Sequence, residues 1–239
     1  MTTGIIILGI VAVLLFFGAA ERYFDRLGMT SWLTFLIVLA LIIGAVMPEV
    51  RTDGFVMTVG GFAVPAVVTV LLFVLSARDG NVLRTLLALA AEAAVCAGFR
   101  FIIGIPTSGG LIAFFLLTGF IGGVVSFAVA GSRLGAVAAV FGGCLVGDAI
   151  SMGLMRGFYG GQFTLGGYGI FNAMIIGCAS ALVLAEIVYY VRRSVENRRI
   201  AARRLTAEAA EDAGLSRDSS SGSDASDAPD ASDDLYGGD

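Results

Sequence analysis

Seven long apolar runs follow one another along the 239-residue chain, at residues 4–20, 31–47, 55–75, 82–103, 111–130, 136–154 and 168–191. Each is about long enough to cross ~30 Å of hydrocarbon as a helix. Runs of this length, without strict alternation, point to helices. Mean hydropathy of +0.91 and 57% hydrophobic residues place the chain in the membrane class. The expected fold is therefore all-α: a polytopic membrane helical bundle of about seven transmembrane helices. The first run has no basic residues before it and is followed directly by Glu21 and Arg22, so it reads as a retained helix and not a cleaved leader.

Arginine placement gives an orientation. All fifteen basic residues are Arg. With seven spans, twelve fall on one side (Arg22, Arg26, Arg78, Arg84, Arg133 and the seven from Arg192 onward) and three (Arg51, Arg100, Arg156) on the other. The positive-inside rule then puts the N-terminus outside and the C-terminus in the cytoplasm. Three regions are expected: residues 1–191 as the bundle, 192–215 as a basic juxtamembrane helix, and 216–239 as a disordered acidic tail. Arg192, Arg193, Arg198, Arg199, Arg203 and Arg204 suit anionic inner-leaflet lipids; as a simpler reading they are a stop-transfer signal. The tail holds seven Asp and one Arg, with too little apolar surface to offset ordering entropy. Lys depletion and Asp-rich segments fit a high-GC or salt-adapted prokaryote, and the expected location is its plasma membrane, multi-pass.

Missing residue types exclude much chemistry. The chain has no His, which removes Ser-His-Asp triads and HExxH sites. It has no Lys, which removes a P-loop and any Schiff-base cofactor, retinal included. Cys96, Cys144 and Cys178 lie inside apolar runs without metal-ligand spacing and read as small packing residues. No cofactor, metal site or nucleic-acid partner is expected, and an enzyme is the less favoured reading, left open.

A charge inside a bilayer is costly unless paired or hydrated, and marks a functional site by default. Asp148 stands deep inside the sixth run, and Glu92 and Arg100 inside the fourth. Glu92 and Arg100 are two helical turns apart, roughly 12 Å, so they do not pair along their own helix. A carboxyl at the depth of Glu92 is expected to be neutral or hydrogen-bonded in the bundle interior. Asp148 and Arg100 lie at overlapping depths near the outer ends of their spans, and are expected to face each other.

Gly60, Gly61 and Pro65 interrupt the third run. Proline removes a backbone donor, and a break near Gly61 is expected. Gly60 and Gly61 also belong to a repeated T-x-G-G signature: TVGG from Thr58, TSGG from Thr107 and TLGG from Thr164. All three fall at outer helix N-terminal ends, where free N–H groups and a partial positive charge suit an anion; close helix packing is the simpler account. Asp148, Arg100, Glu92, Asn172, Thr58, Gly60, Gly61, Thr164, Gly166 and Gly167 are the candidate binding residues, for a small polar or anionic solute.

Four segments carry a family resemblance: DRLGM at residues 25–29, VGGFAVP at 59–65, GGCLVGDAISMG at 142–153 and GGYGIFN at 166–172. In order and spacing the chain resembles a family of small prokaryotic membrane proteins, domain-of-unknown-function family 1614. The resemblance implies a polytopic membrane protein and supplies no activity. That family typically has Asp where this chain has Asn172, which counts against a mechanism built on two carboxylates.

Three functions follow as expectations. The first is a transporter or permease-like protein with a polar site in the outer half of the bundle. The second is a structural or assembly protein whose charges simply pair. The third, an intramembrane aspartyl protease, fits less well: residues 145–148 read Leu-Val-Gly-Asp, without the first Gly of the GxGD motif, and Glu92 would have to be the second acid.

Overall fold

The computed structural model describes residues 2–16, 30–78, 80–103, 108–159, 163–167 and 169–221. Among these described residues 87% are helical, in seven α-helices: α1 (Thr2–Phe16), α2 (Ser31–Val46), α3 (Val64–Arg78), α4 (Val82–Ile103), α5 (Ser108–Ala130), α6 (Arg133–Tyr159) and α7 (Ile170–Ser221). The described residues also form three short strands: β1 (Val50–Thr52), β2 (Phe55–Met57) and β3 (Phe163–Leu165). The DRLGM segment, with Arg22 and Arg26, lies outside the described residues.

Among the described residues, five segments are long and apolar enough to cross a membrane: Val59–Arg78, Val82–Ile103, Gly110–Ala130, Arg133–Gly157 and Ile170–Ala202. Their outer faces carry large apolar side chains at helical spacing. Ile112, Leu116 and Phe120 form such a stripe on α5, as do Val67, Val70 and Val74 on α3, all exposed. Contiguous apolar surface on this scale is unfavourable in water and suits lipid. The chain is a membrane-embedded helical protein. The second apolar run forms a shorter helix: α2 has 16 residues, about 24 Å at ~1.5 Å per residue against ~30 Å of hydrocarbon; of the first run, residues 17–20 lie outside the described residues.

Two compact units make up the chain, Met1–Ile187 and Val188–Asp239. In the first, α6 is central. Its Ala136, Ala139, Val140, Cys144 and Asp148 are fully buried or nearly so. Gly142, Gly143 and Gly147 turn toward α4, where an added Cβ would strike Leu89, Glu92 or the Ala93 carbonyl. Small residues let two backbones approach in a membrane, where lipid provides no hydrophobic drive to associate. In the second unit, Arg192, Arg193, Arg198 and Arg199 are exposed on a helix. That helix runs through Ser221, past the boundary expected at residue 216. Residues 215–221, LSRDSSS, contain neither Gly nor Pro, so no strong breaker stops it there. Residues 222–239 lie outside the described residues.

The third run departs from the expected single helix over 55–75. Phe55–Met57 is a strand, paired antiparallel with β1 across a two-residue turn, Thr52 opposite Phe55. The turn is Asp53-Gly54, a sequence pair that favours hairpins, and Gly54 takes a φ of 79°, which glycine adopts without steric cost. A π-helical turn, Val59–Ala63, follows, and the Val64 N–H donates to the Val59 carbonyl. Only then does α3 begin, with Pro65 in its first turn, where a missing N–H is tolerated. The break near Gly61 is thus present, as a change of helix type.

Candidate functional site

The strands explain how distant residues reach one place. β3 lies parallel to β2, with Phe55 opposite Phe163, Val56 opposite Thr164 and Met57 opposite Leu165. This register sets the first and third T-x-G-G segments side by side. The Leu165 carbonyl accepts two hydrogen bonds from Thr58, from its N–H at 3.1 Å and its hydroxyl at 3.3 Å. Beyond the strands, Gly61 and Gly166 meet backbone to backbone, and a Cβ on either would run into the other's main chain and the Thr58 hydroxyl. Gly60 meets the backbone of Gly44 and Ala45 at the end of α2 in the same way. Gly167 accepts the Ile170 N–H at 3.1 Å as α7 starts. Thr164 enters through its strand pairing. Of the second copy, Thr107 lies outside the described residues, and Ser108, Gly109 and Gly110 begin α5.

The first and third T-x-G-G segments therefore lie side by side, with Gly60, Gly61 and Gly166 occupied by close backbone contact, whereas a Cβ at Gly167 would meet only the Thr164 methyl. Open cradles for an anion, as the sequence suggested, are not what Gly60, Gly61 and Gly166 form here. The conformation of Gly166, with φ 73°, turns its own N–H toward α6. It donates to Asp148 Oδ2 at 2.8 Å.

Asp148 Oδ1 accepts from Arg100 Nη2 at 2.5 Å. The expected pairing of these two charges is present, between the last turn of α4 and the second half of α6. Arg100 is 1% exposed and Asp148 0%, so the pair is sealed from solvent on all sides. The Arg100 guanidinium also lies over the Phe114 ring of α5, 4.8 Å from its centroid, within the range of a cation–π attraction. One charge pair thus joins α4, α5, α6 and the loop before α7. Asn172 is buried in the first turn of α7.

Glu92 occupies a separate niche. Its Oε2 accepts from Ser126 Oγ of α5 at 3.1 Å, and its Oε1 from Cys144 Sγ of α6 at 3.3 Å. Gly122 and Gly143 make room for the carboxyl, since a Cβ at either would overlap the Glu92 side chain. Glu92 is fully buried and hydrogen-bonded in the interior, as its depth led us to expect. Cys144 is more than the packing residue its surroundings suggested, because its thiol is one of the two groups that hold Glu92. Phe114, Ser126 and Cys144 carried no sequence signal as partners: one aromatic, one hydroxyl and one thiol among apolar neighbours only acquire roles once the helices are packed.

Among the described residues no group of three His, Cys, Asp or Glu side chains is placed to hold a metal. Comparison with known proteins yields no relative: no family model matches the chain, nor does any curated protein or solved structure.

Proposed function

We propose that the chain is a transporter or permease-like protein of a prokaryotic plasma membrane, with the Arg100–Asp148 pair as the closed polar site for a small polar or anionic solute. The observation that carries this reading is the completely buried charge pair. Desolvating two charges costs about as much as their attraction returns, and well-packed apolar residues in their place are often as stable or more so. Ionisable groups at such depth tend to mark substrate or ion pathways. The pair is also latched to a backbone N–H at the junction of two interrupted elements, the kind of place where transporters put their sites. A solute anion would take the place of Asp148 on Arg100 when that junction opens.

The proposal includes seven spans, α1 and α2 among them, with the N-terminus outside and the C-terminus in the cytoplasm, where the exposed arginines of α7 meet anionic lipid. Its motivation is the twelve-to-three arginine asymmetry. Cysteines introduced at Ser108 and Ser220 should label from opposite sides of the membrane, Ser108 from outside; labelling of both from one side would rule this topology out. The likeness of four segments to the prokaryotic family named above agrees with this reading and adds no activity to it.

A structural or assembly role is the second reading. The backbone contact of Gly61 with Gly166 favours it, because glycines committed to packing leave no open cradle. Flux measurements separate the two. Purified protein in liposomes, challenged in turn with acetate, phosphate and glutamate, should give uptake or a solid-supported-membrane current for at least one of them. Folded Asp148→Asn should lose that response at least ~10-fold, the effect of removing ~1.4 kcal/mol of differential interaction. Wild-type protein silent to all three, or an Asp148→Asn variant as active as wild type, would favour the structural role.

A further inference from the structure

We propose a second site in the bundle, a lateral cavity that holds a segment of one acyl chain of a glycerophospholipid, with the Thr34 hydroxyl donating to the lipid's ester carbonyl. The cavity measures about 140 Å³ and lies between α1, α2, α3, α6 and α7. Leu8, Leu41, Phe141 and Ile175 form its apolar walls. It has the size of apolar cavities, about 150 Å³, that stay dry and take up a benzene-sized group. That volume accommodates part of a chain and not a whole lipid. Ala179 is exposed on α7 and also lines the cavity, and Ile37 and Leu182 on its rim are half-buried, so the cavity is reached from the side of the bundle.

Thr34 supplies the polar end. It lines the cavity, is 4% exposed, and its Oγ1 has no hydrogen-bond partner among the described residues. A helical threonine usually donates to the carbonyl four residues back. Here that carbonyl, of Thr30, already accepts the N–H groups of Leu33 at 2.9 Å and Thr34 at 3.2 Å. An unpaired hydroxyl in an apolar wall is unfavourable, and an acceptor brought by a ligand relieves it.

Position selects the ligand. Thr34 is three residues into α2, about 4.5 Å from its start at ~1.5 Å per residue. Trp32, at that start, is 66% exposed, and tryptophan at the end of an apolar helix sits at the level of the lipid headgroups. A hydroxyl just below that level, with an apolar cavity further along the same helix at Leu41, matches a lipid whose ester carbonyls lie at the hydrocarbon boundary and whose chain runs inward. The lipid site requires only that α2 enter the membrane near Trp32, and does not rest on transport.

The test compares ester-linked with ether-linked phosphatidylcholine, which differ in the carbonyl. Full-length protein is incubated with vesicles of one or the other, transferred to detergent, and the lipid retained is counted by native mass spectrometry. Wild type should retain the diester about 2- to 10-fold better than the diether, the range one net hydrogen bond supplies. Thr34→Val should bind both alike, Thr34→Ser should keep the preference, and Ala179→Phe should lose both while keeping its helical circular dichroism. Equal retention of the two lipids by wild type, or undiminished retention by folded Ala179→Phe, would overturn the proposal.

Discussion

Replacing Asp148 with Ala should cost about 3–5 kcal/mol of stability, because it leaves the Arg100 guanidinium buried without its carboxylate. Arg100 is 1% exposed and cannot swing to water without parting α4 from α6. The Gly166 N–H would lose its acceptor as well. Arg100→Ala should cost a similar amount by stranding Asp148. The double variant should cost clearly less than the two single losses together, since each removes the same interaction. Denaturant or thermal unfolding in mild detergent, followed by circular dichroism, measures all three. Single variants within ~0.5 kcal/mol of wild type would mean that the two groups reach water or other partners.

The junction of the T-x-G-G segments should be nearly as sensitive. Gly166→Ala adds a Cβ against the Gly61 backbone and forces a side chain into φ 73°. Left-handed backbone costs a non-glycine residue roughly 1–2 kcal/mol, and overpacking commonly adds about 1–3. A loss of about 2–5 kcal/mol is expected from the two together. Gly61→Ala, clashing with the Gly166 carbonyl and the Thr58 hydroxyl, should lose about 1–3 kcal/mol from overpacking alone. Gly98→Ala is the contrast: nothing lies within 4 Å of its added Cβ, and within α4 alanine should be neutral or up to ~1 kcal/mol better. The same unfolding measurement checks the series. Gly166→Ala as tolerated as Gly98→Ala would contradict the close contact.

Much of this was legible in the sequence for a physical reason. A bilayer leaves few options to a long apolar run, so α4, α5 and α6 fall close to the expected bounds. The Arg100–Asp148 pair was legible because charge in hydrocarbon is so unfavourable that two opposite charges at one depth are driven together. The strands were not legible. Three residues are too short to display a period of two, and Phe55–Met57 reads as the start of an apolar run. Asp53-Gly54 was the available signal for the hairpin. The joining of the T-x-G-G segments was hidden by distance along the chain, since the contact of Thr58 with Leu165 spans 107 residues and depends on strand register. Hence the repeat is visible in the sequence while its meaning is not: the glycines serve backbone approach at the junction that positions the Gly166 N–H on Asp148.

On the proposed function, the buried charge pair serves solute passage and not stability. Replacing both members with apolar residues, Arg100→Met together with Asp148→Leu, tests it most directly, with unfolding and liposome flux measured on the same preparation. The proposed role predicts a double variant that loses no more than about 1–3 kcal/mol, the cost of leaving the Gly166 N–H without its acceptor, and that no longer moves any solute the wild type moves. A double variant that keeps wild-type flux would contradict that role.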